Sequence, residues 1–160
     1  MAIQAAIFTI GDRYAAEGNR DESGDILNST CMKMGWEIVE RRVLGDAEQD
    51  IINHLVEVSD SGKVDMILTI DGIGVMAKDR VPEAMYQVCE KWVPGLAELI
   101  RIKCYENTPA VAVTRGLAGV RGKTLIVNLP KNPTAVKDAM DALKPALRQN
   151  IVDQLKGPSA

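Results

Sequence analysis

The run Ile67-Leu68-Thr69-Ile70 ends in Asp71-Gly72-Ile73-Gly74, and Asp79-Arg80-Val81-Pro82-Glu83-Ala84 then opens a helix. Glycines let backbone N–H groups approach a ligand closely and point together, so a strand-to-helix turn of this composition suits an anion. Asp71 and Ile73 run against that chemistry. A carboxylate about 4 Å from a phosphate repels it by ~1 kcal/mol at a water-like dielectric and ~4 kcal/mol at a protein-like one. Asp12, Asp46 and Asp79, together with Asn128, also stand at or just past apolar runs. Asp46 has an ordinary reading as a helix N-cap, because Gln49 follows three residues on in a capping-box pattern.

These side chains need a frame, and the hydrophobic pattern supplies one. Ala2 to Ile10 is an apolar run too short for a membrane and reads as a first strand, followed by loop chemistry over 18–24. Ile26, Leu27, Cys31 and Met34 recur at helical spacing before Gly35. Trp36 to Leu44 reads as a strand, and Ile51, Ile52, Leu55 and Val56 form the buried stripe of a second helix. Met66 to Ile70 is a short central strand. Pro82 and Pro94 each start a helix, the first running to about Glu90. Ala110 to Thr114 alternates like a strand, Gly116, Gly119 and Gly122 punctuate a turn, and Thr124 to Leu129 is the last strand. A final helix carries Val136, Met140, Leu143 and Leu147, and Lys156 to Ala160 reads as a frayed tail.

Alternating strands and helices predict an α/β fold with a mostly parallel sheet covered on both faces. Ligands in such sheets sit at the carboxyl ends of the strands. The loops after Ile10, Leu44, Ile70, Thr114 and Leu129 are therefore expected to share one edge. That edge would gather Asp12, Asp46, Asp71, Asp79 and Asn128 around a single crevice.

Composition narrows the function classes. With 160 residues the chain is expected to form one domain spanning 1–160. A net charge of -3 and a pI near 5.2 argue against a nucleic-acid face, which needs a basic stripe. Cys31, Cys89 and Cys104 are odd in number and far apart, so they predict neither a disulfide framework nor a zinc site. Neither a signal peptide nor a membrane span is expected, since Gln4 and Gly11-Asp12-Arg13 interrupt the first apolar run.

Several ordered motifs go further. They are Asp12-Arg13, Asp21-x-Ser23-Gly24, Asp46, the glycine loop, Asp79-x-x-Pro82-Glu83-Ala84, Pro94 to Arg101, and Ala118 to Pro130. In this order the chain resembles the MogA/MoaB-type molybdenum cofactor biosynthesis proteins, the molybdopterin adenylyltransferase family, from about Ile3 to Leu155. The resemblance implies a three-layer sandwich of molybdopterin-binding-like fold, a cytoplasmic trimer or dimer of trimers, and a molybdenum-insertion protein as a partner. It implies adenylylation of molybdopterin, in which the pterin's terminal phosphate attacks the α-phosphorus of ATP and pyrophosphate leaves, with Mg²⁺ required.

Asp46 and Asp79 match family positions tied to catalysis and metal, and carboxylates are the right ligands for Mg²⁺. The resemblance places Asp12, Asp71, Gly72, Ile73, Gly74, Glu98, Thr114, Asn128 and Pro130 around the pterin and nucleotide.

The departures cluster on these loops. Where the family reads Gly-Gly-Thr-Gly this chain has Asp71-Gly72-Ile73-Gly74, Val81 replaces a threonine before Pro82, and Lys131 replaces a glycine. Lys131 is thus a candidate ion-pair partner for Asp71, with Asp71 as a third Mg²⁺ ligand the other option. The altered loop also admits a second function, a non-catalytic paralogue that binds pterin or a partner protein in cofactor assembly.

Overall fold

A computed structural model describes residues 2–16 and 19–157. It contains strands β1 (Gln4–Ile10), β2 (Glu37–Leu44), β3 (Met66–Ile70), β4 (Lys91–Trp92), β5 (Ala118–Arg121) and β6 (Thr124–Leu129). The helices are α1 (Asp12–Ala15), α2 (Glu22–Lys33), α3 (Glu48–Asp60), α4 (Val81–Val88), α5 (Pro94–Tyr105), α6 (Pro133–Leu143) and α7 (Gln149–Lys156). One sheet runs in the order β2-β1-β3-β6-β5-β4, parallel through β6 and antiparallel in its last two pairings.

Side chains alternate across a strand, so each central strand feeds two cores. Ala5 and Ile7 of β1, with Met66, Leu68 and Ile70 of β3, pack against Leu27, Ile100 and Met140 from α2, α5 and α6. Ala6, Phe8 and Ile10, with Ile67, pack on the other face against Ile51, Leu55 and Met85 from α3 and α4. The three-layer α/β sandwich expected from the sequence is what forms.

The expected strand over 110–114 does not. Pro109–Val113 is a 3-10 turn in which Val111 alone is buried, and the place beside β6 goes to β5. A hairpin across Gly122-Lys123 pairs Arg121 with Thr124, so the glycine-punctuated turn is in fact mostly strand. The loop expected over 18–24 is shorter as well, because Asp21 caps α2 by accepting from Gly24 N at 2.9 Å. Pro82 takes the second position of α4, and that helix stops at Val88. Lys156 belongs to α7, and its Nζ lies 3.7 Å from Asp65 Oδ1. The rest of the expected tail, 158–160, lies outside the described residues, as do 17–18 of the expected loop.

Candidate functional site

Parallel pairing of β2, β1, β3 and β6 puts Ile10, Leu44, Ile70 and Leu129 on one edge. The residues that follow them meet there. A crevice of about 300 Å³ opens between the glycine loop, the 3-10 turn and the start of α6. Asp71, Ile73, Gly74, Asp79, Thr114 and Pro130 line it, joined by the cations Arg13, Lys78 and Lys131. A second cavity of about 310 Å³ shares Arg13 and Lys131 with it and adds Arg20.

The glycine loop is folded tightly on itself. A Cβ on Gly72, where φ is 76°, would stand 2.5 Å from Val81 Cγ2. A Cβ on Gly74 would stand 2.6 Å from Asp79 Oδ2. Both glycines are thus required by close packing, whatever ligand the loop holds. Ile73 is 4% exposed and packs with the α3 and α4 core, which explains an apolar residue in a polar loop. Val81 is fully buried beneath Gly72, so the absent hydroxyl cap at that position is replaced by packing.

Asp71 adopts φ of 72°, and it alone among the described non-glycine residues has a positive φ. Its carboxylate accepts from Gly72 N at 2.7 Å, Arg13 Nη2 at 2.8 Å and the Tyr14 hydroxyl at 2.9 Å. The cation paired with Asp71 is therefore Arg13 on α1, and the pairing expected with Lys131 does not occur. Helix α1 follows β1, strand β3 lies parallel and next to β1, and the segments leaving the two strands therefore face each other. Burial pushes the Tyr14 hydroxyl up to about 12, with the Asp71 charge adding to the effect and Arg13 opposing it.

Asp79 is 6% exposed, and its Oδ2 accepts from Met76 N at 2.9 Å, tying the loop into a closed turn. Asp46 is not the N-cap of α3; that position belongs to Ala47, and no side chain caps it. Asp46 instead meets Asp12. Asp46 N donates to Asp12 Oδ1 at 3.0 Å and Asp12 N donates to Asp46 Oδ2 at 3.3 Å. Each carboxylate spends one oxygen this way, and neither is paired with a cation among the described residues. Two such carboxylates at a strand edge fit a hard divalent cation that fills its remaining positions with water and phosphate oxygens. Asp46 does not line the crevice that Asp79 lines, and no cluster of three metal-binding side chains occurs among the described residues.

The polar groups of other expected binding residues are engaged within the chain or lie away from the crevice. Asn128 is 2% exposed; its Oδ1 accepts from Leu117 N at 3.0 Å and its Nδ2 donates to Thr69 Oγ1 at 2.9 Å. The carboxamide therefore joins β3, β6 and the segment entering β5. Thr114 Oγ1 donates to Val111 O at 2.6 Å. Glu98 is exposed on α5 and lines none of the cavities described. Its neighbour Arg101 donates to Gly116 O at 2.9 Å and makes no ion pair with it.

The sequence assigns no site role to Arg13, beyond its place in the Asp12-Arg13 motif, nor to Tyr14 or Arg115. Arg115 donates Nε to Gly74 O at 2.8 Å, Nη2 to Asp79 O at 2.8 Å, and Nη1 to Glu83 Oε2 at 2.6 Å. One guanidinium fork thus fixes both arms of the loop. In return, Arg115 holds the Glu83 carboxyl below the usual range. The only signal in the chain was an arginine following a predicted binding residue, Thr114.

A mostly parallel sheet with a glycine loop, paired carboxylates and cations at one carboxyl edge defines a ligand-binding α/β domain. The chain belongs to the family described as "Probable molybdopterin binding domain", which matches residues 6–149. A molybdopterin adenylyltransferase of Helicobacter pylori is 36% identical over 147 residues, covering 91% of this chain and 84% of the relative. The protein of that name from Escherichia coli is 29% identical, covering 90% and 75%. Among solved structures, the molybdopterin biosynthesis enzyme MoaB of Thermus thermophilus matches with a TM-score of 0.88 at 31% identity, covering 98% of each chain. The molybdopterin biosynthesis Mog protein of Mycobacterium ulcerans matches at 0.87 and 32% identity, covering 96% of this chain and 99% of the other.

Proposed function

We propose that this protein is a molybdopterin adenylyltransferase of molybdenum cofactor biosynthesis, acting in the cytoplasm on molybdopterin and ATP. The observation that carries the reading is the crevice at the carboxyl edge, with three cations on its walls and the Asp12–Asp46 pair at the neighbouring strand ends. Transfer of an adenylyl group asks a protein mainly to align two phosphates and neutralise their charge.

Arg13, Lys78 and Lys131 supply that charge from the walls. Asp46 and Asp12 are the residues suited to Mg²⁺, which when bound neutralises nucleotide phosphates. Asp79 acts by holding the loop backbone in shape through Met76 N. The pterin's terminal phosphate attacks the α-phosphorus of ATP, a P–O bond forms, and pyrophosphate leaves.

Exposed Val75, Met76 and Val113 lie on the loop and the 3-10 turn that line the crevice, and Leu99 and Ile102 are exposed on α5. They support a homo-oligomer, a trimer or hexamer, which light scattering on the purified protein would count.

The test is a reaction of the purified protein with molybdopterin, ATP and Mg²⁺, followed by pyrophosphate release. Mg²⁺-dependent release that Asp46→Asn abolishes, with an unchanged melting temperature, supports the proposal. Pterin binding without any release supports the non-catalytic reading, which the occupation of the loop by Asp71 favours. No helix among the described residues is long and apolar enough to cross a membrane.

A further inference from the structure

The Asp71 carboxylate stands among hydrogen-bond donors. Three donors of different origin converge on its carboxylate: the Gly72 N–H at 2.7 Å, Arg13 Nη2 at 2.8 Å and the Tyr14 hydroxyl at 2.9 Å. A leading N–H of a glycine turn, a guanidinium and a phenol around one carboxylate form a built anion site, and the chain fills it itself. The filling is not free of cost. A non-glycine residue at φ of 72° carries backbone strain, and such strain persists only where surrounding contacts over-determine it. Here those contacts are the three donors.

The arrangement is partly buried but open to the ligand space. The Asp71 side chain is 18% exposed and lines the crevice, whereas Arg13 is 50% exposed and lines both cavities. Arg13 also lies over the Tyr14 ring at 4.6 Å from its centroid, so it is held at the boundary between the two spaces. Swinging a guanidinium from one anion to another there requires only side-chain rotation. Lys78 and Lys131 make no ion pair among the described residues. The crevice thus keeps a surplus of positive charge that draws an anionic ligand in while Arg13 is still engaged.

We propose that Asp71 is an internal competitor for the ligand's phosphate. Its carboxylate holds Arg13, Tyr14 and the first glycine-loop N–H in the free protein, and an entering di- or triphosphate takes Arg13 over from it. Asp71 is in this sense a specificity-determining residue, raising the charge a ligand needs in order to bind. A ligand with a single phosphate exchanges one anion for another on Arg13 and gains little. A polyphosphate adds contacts to Lys78 or Lys131 and wins the exchange. This deepens the proposed adenylyltransferase reading and rests on its claim that the crevice takes phosphates.

The test is calorimetric titration of the intact protein with inorganic pyrophosphate and, separately, with MgATP. Asp71→Gly and Asp71→Asn remove the internal anion, and the asparagine keeps the shape and tolerates the same backbone region. Both are expected to bind pyrophosphate about 10- to 100-fold more tightly than the natural protein. The double variant Asp71→Gly/Arg13→Gln is expected to bind no more tightly than the natural protein, because Arg13 is the cation released. A double variant that keeps the full gain, or single variants that bind no tighter while the natural protein binds MgATP, overturns the role of Asp71 alone. Absence of binding by every form overturns the phosphate-site reading and the Asp71 role with it. Circular dichroism of each variant checks that the fold is retained.

Discussion

Arg115 Nη1 lies 2.6 Å from Glu83 Oε2, and the same guanidinium reaches across to the carbonyls of Gly74 and Asp79. The pair links the segment before β5 to the first turn of α4 and closes the glycine loop between them. Arg115→Gln is expected to cost about 1 to 2 kcal/mol, moderated by the exposure of the side chain. Arg115→Lys should restore little of this, since one ammonium cannot serve three acceptors in a fork. Urea denaturation of the three proteins checks both statements, and a lysine variant as stable as the natural chain would refute the second.

The same pair sets a pH dependence. The Glu83 carboxyl is held below its ordinary value chiefly by its hydrogen bond to Arg115. A depressed carboxylate contributes stability above its unfolded pKa and loses it as pH falls through the folded one. The stability gap between the natural protein and Glu83→Gln should therefore be constant near neutrality and close below about pH 4. A gap unchanged at lower pH would contradict this.

Tyr14 is expected to ionise only at strongly alkaline pH. Burial, then the nearby Asp71 charge, raises it to about 12 against the lowering influence of Arg13. A raised pKa means stability that is intact below about pH 10 and falls as pH climbs toward the folded value. Spectrophotometric titration of Asp71→Asn should show this transition moved downward. A transition that stays in place would show that the carboxylate does not face the phenol in solution.

Asn128→Ala should be expensive because the carboxamide is buried and hydrogen-bonded at both ends. It strands Leu117 N and leaves the Thr69 hydroxyl without its donor, a loss of about 2 to 3 kcal/mol. Chemical unfolding reads the cost directly. A change below about 0.5 kcal/mol would mean that Asn128 serves a ligand in preference to the sheet.

The thiols should be inert. Burial pushes Cys31 up to about 12 and Cys89 and Cys104 up to about 11, so little thiolate exists at neutral pH. Reaction with an aromatic disulfide reagent at pH 7.5 should proceed only after denaturation; rapid labelling of the native protein would refute this.

The sheet was legible in the sequence because its central strands are continuous apolar runs with strand-to-helix alternation, a pattern set by local residue order. The 110–114 segment departs from its strand-like pattern for a tertiary reason. Its alternation matched a strand, but strand state requires a neighbour, and β5 had taken the place beside β6. Residues 118–121 became that strand because Gly119 lets the chain lie against Cys89 and Lys91, where a Cβ would stand 2.7 Å from Cys89 Sγ.

The sequence by itself determined that acidic residues and glycines would collect at one carboxyl edge, since parallel pairing sends every following loop the same way. Only the tertiary structure decided which of them meet. Asp46 looked like a helix cap and found Asp12, 34 residues away. Asp71 looked set for Lys131 and found Arg13 and Tyr14, 58 and 57 residues away. Charge pairing depends on distances of a few ångströms, and these arise from strand order and helix packing, which no local pattern encodes.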